Sequence, residues 1–182
     1  MRDMAGLNFG TAGVPNSTYP HTTPAGIQRV RELGLDCMEV QFVQGVRMGE
    51  GAARLVREVA QRERVRLSVH APYFINFNAH EPDKITASEG RLLQAARIGH
   101  LCGAETVNVH MAFYLGDPPA EVYGRVKVAL EQVVRQLRKE GNPIWVRPEV
   151  MGKGTQFGTL EELLSLSAEI EGVLPTIDFA HW

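Results

Sequence analysis

Short apolar runs alternate along this chain with longer stretches in which apolar residues recur every three or four positions. The short runs predict β-strands and the longer stretches predict helices, because an amphipathic helix repeats its buried face about every 3.6 residues. The predicted strands span residues 7–11, 37–42, 65–72, 105–111, 144–150 and 175–180. A helix is predicted in each interval between consecutive strands.

Capping residues locate the ends of several of these helices. The spacing Thr-x-x-Glu, a capping box, predicts helix starts at Thr86 and at Thr159. The longest helix is predicted to open at Asp117 and to close at Gly141. One helix is predicted to bury a stripe made of Ala52, Leu55, Val56, Val59 and Ala60.

The regular alternation of strands and helices predicts an α/β fold with parallel strands and right-handed crossovers. A dinucleotide-binding sheet is disfavoured because no Gly-x-Gly-x-x-Gly motif follows the first strand. Polar residues end four successive strands, and in a TIM barrel such ends converge on the single mouth that holds the active site. We therefore predict a (β/α)8 TIM barrel of which about six strands and five helices are present, as a single domain over residues 1–182.

The residues at these strand ends are typical metal ligands. Neutral imidazole and carboxylate oxygen bind zinc or manganese in open catalytic sites. His70, His110 and Glu149 are predicted to hold one ion, and Glu149 is predicted to bridge to a second ion that Asp178 also binds. His181, three residues later, is expected near the same mouth. Each residue alone could be an ordinary hydrogen-bonding or ion-pairing side chain, but their equivalent positions favour a common site.

Composition narrows the function classes. Apolar residues make up 44% and charged residues 22% of the chain, as in ordinary globular proteins, and no apolar run is long enough for a membrane span or a signal peptide. We therefore expect a cytoplasmic protein. Cys37 and Cys102 form no CxxC motif, which excludes a zinc–thiolate site of that kind. The net charge of -2 provides no basic excess for nucleic acid, although a local arginine patch remains compatible with it.

Four segments of the sequence, in the same order along the whole chain, resemble the endonuclease IV family. These are residues 68–76 (SVHAPYFIN), 107–110 (VNVH), 148–153 with 156–159 (PEVMGK and QFGT) and 177–181 (IDFAH). The family comprises the type 2 apurinic/apyrimidinic endonucleases of the xylose isomerase-like TIM barrel superfamily. The resemblance implies a zinc hydrolase of base excision repair that binds three ions. Such an enzyme cleaves DNA on the 5′ side of an abasic site and leaves a 3′-hydroxyl.

The resemblance also implies a role for each matching residue. His70 and His110 would bind the first metal, Glu149 would bridge the first and second, Asp178 would join the second, and His181 would belong to the third. Tyr73, Asn76 and Lys153 would contact DNA or its phosphates. The implied partner is double-stranded DNA with abasic sites, the metal is zinc with manganese as an alternative, and the full-length protein is expected to be a monomer.

The sequence departs from the family pattern at its end. The remaining ligands of the second and third metals should come from strands beyond Trp182, so we expect an N-terminal fragment of a longer enzyme. Six strands cannot close an eight-stranded barrel and should leave the first and sixth strands as edges with apolar inner faces. We therefore predict that the 182-residue chain alone shows no sharp unfolding transition and negligible cleavage of abasic sites.

Two other functions stay open. A metal-dependent sugar isomerase or epimerase of the same superfamily would use a similar ligand set, and a further Asp-x-His downstream would favour the nuclease instead. A non-catalytic remnant of the barrel is the second alternative, and it would contain no bound zinc.

Overall fold

The computed structural model describes residues 6–181. In chain order its helices and strands are β1 (Gly10–Ala12), α1 (Thr23–Glu32), β2 (Cys37–Gln41), α2 (Glu50–Glu63), β3 (Arg66–His70), α3 (Pro82–Cys102), β4 (Thr106–Val109), β5 (Ala112–Phe113), α4 (Pro119–Lys139), β6 (Trp145–Pro148), β7 (Gln156–Phe157) and α5 (Leu160–Glu169). No helix within that range is both long and apolar enough to cross a membrane.

The main sheet contains five parallel strands in the order β1-β2-β3-β4-β6. Each strand is hydrogen-bonded to the next strand in this order, and a helix connects the two along the chain. The register places Val69 beside Val107 and Val107 beside Val146. Parallel neighbours joined by helices are the repeating unit of a TIM barrel. The predicted α/β barrel architecture is therefore confirmed.

The two faces of this sheet differ sharply in polarity. Side chains alternate along a strand, so every second residue faces the helices. Met38, Val69, Val107 and Val146 on that outer face are at most 1% exposed and belong to the main apolar core. The opposite, helix-free face carries Cys37, Glu39, Gln41, Arg66, Ser68, His70, Thr106, Asn108, Trp145 and Arg147. Most of these side chains are polar; the expectation of apolar inner faces concerned the first and sixth predicted strands, which contribute none of them.

Of the two helix starts predicted from capping boxes, one is confirmed and one is wrong. Thr159 and Glu162 form a complete capping box at the start of α5, as predicted. The predicted start at Thr86 is wrong, because α3 begins at Pro82 and the Thr86 hydroxyl bonds back to the Pro82 carbonyl within the helix. In a helix Thr often makes such a bond to the preceding turn, so the sequence signature alone is ambiguous.

The buried stripe of α2 differs from the predicted one at two of its five positions. Ala53, rather than Ala52, is buried, and Leu55 is 50% exposed. Val56, Val59 and Ala60 face the core as predicted. Alanine occurs on both sides of this helix and its one leucine, Leu55, lies on the exposed side, so periodicity alone left two overlapping stripes.

The predicted sixth strand is not formed as a ladder. Two isolated parallel bridges, Val146 with Val173 and Glu149 with Thr176, hold this segment beside β6. Pro175 lies between them and has no N–H to donate. After Thr176 the chain turns, and the Asp178 side chain accepts a 2.7 Å hydrogen bond from the backbone of Ala180. The segment thus follows the path of a strand but ends in a turn.

Candidate metal centre

Three of the predicted ligands meet at the carboxyl ends of neighbouring strands. His70 is the last residue of β3, His110 directly follows β4, and Glu149 directly follows β6. The parallel register keeps these ends level, with His70 paired to Asn108 in β4. Because side chains two residues apart face the same side of a sheet, all three point away from the helices.

Glu149 presents a different carboxylate oxygen to each of the two histidines. Its Oε2 lies 3.2 Å from His70 Nε2, and its Oε1 lies 3.5 Å from His110 Nε2. His70 and Glu149 are each only 6% exposed. One candidate ligand atom from each residue lies within 4.8 Å of the others. The separations of 3.2 and 3.5 Å between Glu149 and the two histidines are short enough for a single zinc ion with bonds of about 2.0–2.2 Å to join these residues.

The tautomer of His70 suits a metal ligand. Its Nδ1 lies 2.8 Å from the carbonyl oxygen of Ala71, and because a carbonyl can only accept, Nδ1 carries a proton and donates it. The other nitrogen, Nε2, is therefore the one that faces Glu149. A second hydrogen bond of this kind orients metal-binding histidines in many proteins.

Electrostatics at this centre favour a positive charge beside the carboxylate. Burial raises the pKa of Glu149, but hydrogen bonds and charge interactions with His110 and His70 outweigh it and hold that pKa well below its usual range. Burial lowers the pKa of His70, yet its hydrogen bond to Glu149 and the nearby acidic charges leave that pKa above its usual value. The pocket therefore stabilises an ionised carboxylate that faces a cation.

Asp178 and His181 form a second group with the same glutamate. His181 Nδ1 lies 3.4 Å from Glu149 Oε1 and 3.4 Å from Asp178 Oδ2. This nitrogen also lies 3.2 Å from the Val150 carbonyl, so a metal bond through Nδ1 requires release of that contact. The resemblance assigned Asp178 and His181 to different metals, whereas the structure brings both into one cluster with Glu149.

Tyr73 packs against both histidines of the first group. Its ring stacks on His110 with a centroid distance of 5.2 Å and an interplanar angle of 27°. Its edge-to-face contact with His70 has a centroid distance of 5.3 Å. The ring is also about half exposed, so Tyr73 can both orient the imidazoles and meet a substrate.

An open cavity of about 590 Å³ lies over these ligands. Its walls include Tyr73, Lys153, Gln156 and His181, so two of the three predicted substrate contacts face it. Asn76 lies outside its lining. The Asn76 Oδ1 instead accepts hydrogen bonds from the backbone of Asn78 and of Phe113, which ties the loop after β3 to β5. Gln156 lies in the segment 156–159 that carries the family resemblance, but no role in the site was predicted for it from the sequence.

A polar network beneath the centre was also missed in the sequence. Asn108 donates through Nδ2 to Glu39 and accepts a 2.9 Å bond from the Thr176 hydroxyl. The negative charge of Glu39 is one of the factors that raise the pKa of His70. Strand alternation could have found these residues, since Asn108 lies two positions before His110 and is paired with His70, and Glu39 is paired with Ser68, on the same helix-free face.

The backbone of Gly152, in the turn after β6, packs very closely against the backbone of His181. A Cβ placed on Gly152 would lie 2.1 Å from the His181 carbonyl oxygen and 2.8 Å from its carbonyl carbon. Real Cβ atoms do not approach backbone this closely, so only glycine allows this packing. Gly152 therefore sets the position of the backbone that carries His181.

Comparison with known proteins gives a family-level match. The model of the family described as "Xylose isomerase-like TIM barrel" matches residues 27–182. An uncharacterized protein of Methanocaldococcus jannaschii is 37% identical over 175 residues, which are 96% of this chain and 62% of that relative. The chain thus spans less than two thirds of the length of this curated relative.

Solved structures of differently named enzymes share the fold about equally well. A D-tagatose 3-epimerase-like protein superposes with a TM-score of 0.76 at 20% identity, over 96% of this chain and 66% of its own. Endonuclease IV from Thermus thermophilus gives a TM-score of 0.75 at 19% identity, over 96% and 64%. At such low identity these similarities establish the fold alone.

Proposed function

Since this chain belongs to the xylose isomerase-like TIM barrel family, we propose that it is the metal-binding part of a phosphodiesterase that cleaves DNA 5′ to abasic sites. The product would keep a 3′-hydroxyl, and the enzyme would act as a monomer in cytoplasmic base excision repair. One observation carries the proposal. The Glu149 carboxylate is common to two ligand groups, one with His70 and His110 and one with Asp178 and His181.

A shared carboxylate is the usual device for holding two ions close together. Paired ions about 3.5–4 Å apart are common in nucleases and phosphatases, where they bind both oxygens of the bond being exchanged. Zinc suits the first group best, because two imidazoles and one carboxylate are a common ligand set for catalytic zinc, and manganese is the alternative. When bound, such ions polarise a phosphoryl oxygen and acidify a water molecule.

The protein's own residues have complementary roles in this proposal. Lys153 lines the cavity over the ligands, and its ammonium group would attract a phosphate without demanding one orientation. Tyr73 fixes the plane of the His110 ring while its exposed face remains free for the substrate. Asn76 holds the loop that carries Tyr73 through two backbone hydrogen bonds.

A sugar epimerase or isomerase is the second candidate. It is favoured by the similarity to solved structures named as 3-epimerases, which match this fold as well as endonuclease IV does. Such an enzyme moves a proton next to a carbonyl and needs a base beside one metal-bound sugar. The presence of three histidines around one shared carboxylate favours the phosphodiesterase, since it supplies ligands for more than one ion.

Cleavage of a labelled duplex with one abasic site tests the proposal directly. The whole enzyme that contains this chain, loaded with zinc or manganese, should cut the abasic strand once on the 5′ side, and the cut end should be extendable by a polymerase because it carries a 3′-hydroxyl. An intact duplex and D-fructose or D-tagatose serve as parallel substrates. Epimerisation of the sugar without any cut in the duplex would overturn the proposal in favour of the second candidate.

A further inference from the structure

A small antiparallel ribbon forms one wall of the cavity above the metal ligands. It consists of β5 and β7, in which Ala112 pairs with Phe157 and Phe113 pairs with Gln156. The ribbon joins the loop after β4 to the loop after β6, the two loops that follow His110 and Glu149. It therefore lies next to the ligands without being part of either ligand group.

Several contacts fix this ribbon to the body of the protein. The backbone N–H of Tyr114 donates to the Thr155 carbonyl at 3.0 Å, and its hydroxyl lies 2.8 Å from a carboxylate oxygen of Glu162 at the start of α5. Phe157 is fully buried, and its ring centroid lies 6.2 Å from that of Tyr114 and 6.4 Å from that of Tyr123. The ribbon is thus a pre-formed wall, and binding against it costs little ordering of the backbone.

The face that the ribbon turns to the cavity combines an aromatic ring with an amide. Phe113 and Gln156 are opposite one another in the register and both line the cavity, together with Lys153. Phe113 is 39% exposed, although a phenylalanine fixed in a paired strand would normally be covered. A flat apolar surface beside an amide and an ammonium group matches the three parts of a nucleotide, namely base, base edge and phosphate.

We propose that the β5–β7 ribbon is a base-recognition wall, on which Phe113 stacks against a nucleobase that flanks the abasic nucleotide while Gln156 bonds to the edge of that base. This inference rests on the proposed function. The missing base leaves its neighbour with one unstacked face, so an aromatic side chain can cover that face at little cost. The Gln156 amide offers both a donor and an acceptor, so it tolerates any of the four bases.

The proposed contact with Phe113 also predicts which substrates the enzyme prefers. Stacking on Phe113 requires a base next to the lesion, so the site should distinguish a single abasic nucleotide from a run of them. A free monosaccharide has no aromatic face for such a contact.

Two duplexes separate this inference from its alternatives. One carries a single abasic nucleotide between normal bases, and the other carries three abasic nucleotides in a row, so that no base flanks the central lesion. Steady-state cleavage of both is measured for the whole enzyme that contains this chain, as the wild type and as the variants Phe113→Ala, Phe113→Trp and Gln156→Ala. The matched control is Leu164→Ala, which removes a comparably exposed apolar side chain from α5, outside the cavity.

Loss of one base stack should raise KM for the single-lesion duplex by about 5- to 50-fold in Phe113→Ala, with kcat nearly unchanged. Phe113→Trp should restore wild-type KM, Gln156→Ala should raise KM less than Phe113→Ala, and Leu164→Ala should have no effect. At the central lesion of the three-lesion duplex the wild type and Phe113→Ala should become equal. Metal content and thermal unfolding are measured on every variant, and Gln156→Ala tests the wall independently if Phe113→Ala does not fold.

The outcomes separate the two proposals. If the wild type cleaves the single-lesion duplex and neither Phe113→Ala nor Gln156→Ala changes its KM, the recognition wall is wrong and the nuclease assignment stands. An equal loss on both duplexes also overturns the wall, because it would indicate a structural role. A wild type that cleaves neither duplex overturns both proposals.

Discussion

Glu149 Oε2 lies 3.2 Å from His70 Nε2, which joins the end of β6 to the end of β3 across the helix-free face of the sheet. Both residues are almost fully buried. Removing one partner of a buried charged pair leaves the other without compensation, which is strongly destabilising. A divalent cation can replace the proton of the imidazole and keep this charge balance. The pair is therefore both a structural link and the core of the proposed metal centre.

Replacing Glu149 by glutamine should abolish the shared ligand while preserving the shape of the side chain. A neutral amide binds divalent ions poorly, so we expect Glu149→Gln to lose the second ion, weaken the first, and lower the rate of abasic-site cleavage at least about 100-fold. Elemental analysis after dialysis and single-turnover cleavage measure the two effects. Retention of two ions per chain by this variant would show that the carboxylate does not bridge.

The two ligand groups should be separable by single substitutions. His70→Ala removes a ligand from the first group only, and Asp178→Asn removes one from the second group only. We therefore expect each variant to lose one binding event in a cobalt titration followed by visible absorbance, with the other event nearly intact. If either variant loses both events, the ions bind as one cooperative cluster and not at two distinct sites.

Gly152→Ala should displace the segment that carries His181. The added Cβ would lie 2.1 Å from the His181 carbonyl oxygen, so one of the two backbones must move. Overpacking of this kind typically costs about 1–3 kcal/mol of unfolding free energy, and the second group should lose its affinity for metal. Gly154→Ala is the matched control, because its Cβ would meet no heavy atom within 4 Å. Urea denaturation and metal titration of both variants test this, and equal behaviour would contradict it.

Acid should weaken the contact between Arg97 in α3 and Glu140 after α4. The Arg97 guanidinium donates to both Glu140 oxygens, and this contact, together with a hydrogen bond from Gln136, lowers the pKa of that carboxyl from 4.5 to about 2. Since the folded-state pKa is depressed, the contact stabilises fully above pH 4.5, and its contribution is lost as pH falls from about 4.5 to about 2.

Glu140→Gln should accordingly lower the urea midpoint at pH 7 and have no effect near pH 2. The difference at pH 7 should be small and should shrink in high salt, because the pair lies at the surface. A difference that persists unchanged at pH 2 would mean that the carboxylate charge is not its source.

The sequence was sufficient to predict the order of the strands in the main sheet and that His70, His110 and Glu149 lie at the ends of three of them. His70, His110 and Glu149 follow buried valine-rich runs, and parallel pairing brings such positions together whatever the details of the loops. The sequence did not predict that Ala52 and Leu55 are exposed, since a helix with small or apolar residues on two sides has no unique buried face. The helix start predicted at Thr86 is wrong for a different reason, because the Thr86 hydroxyl donates a hydrogen bond to the Pro82 carbonyl inside α3.

The β5–β7 ribbon shows what pattern analysis misses altogether. Each of its strands has only two residues, and Ala112–Phe113 is separated from Gln156–Phe157 by the whole of α4 and β6. Two-residue pairings have no periodicity to detect, and their partner is set by the tertiary fold. The polar inner face was not predicted either, although strand alternation places Glu39, Ser68 and Asn108 on it.

That polar face has a consequence for how the molecule assembles. The outer face of the sheet excludes water by packing Val69, Val107 and Val146 under the helices, whereas Glu39 and Asn108 on the other face can remain hydrated at little cost. The sheet therefore buries its apolar side chains mainly on the helical side. We expect each β-strand and its helix to pack onto this layer while the other face is still hydrated, so that the charged centre around Glu149 loses its water late in folding.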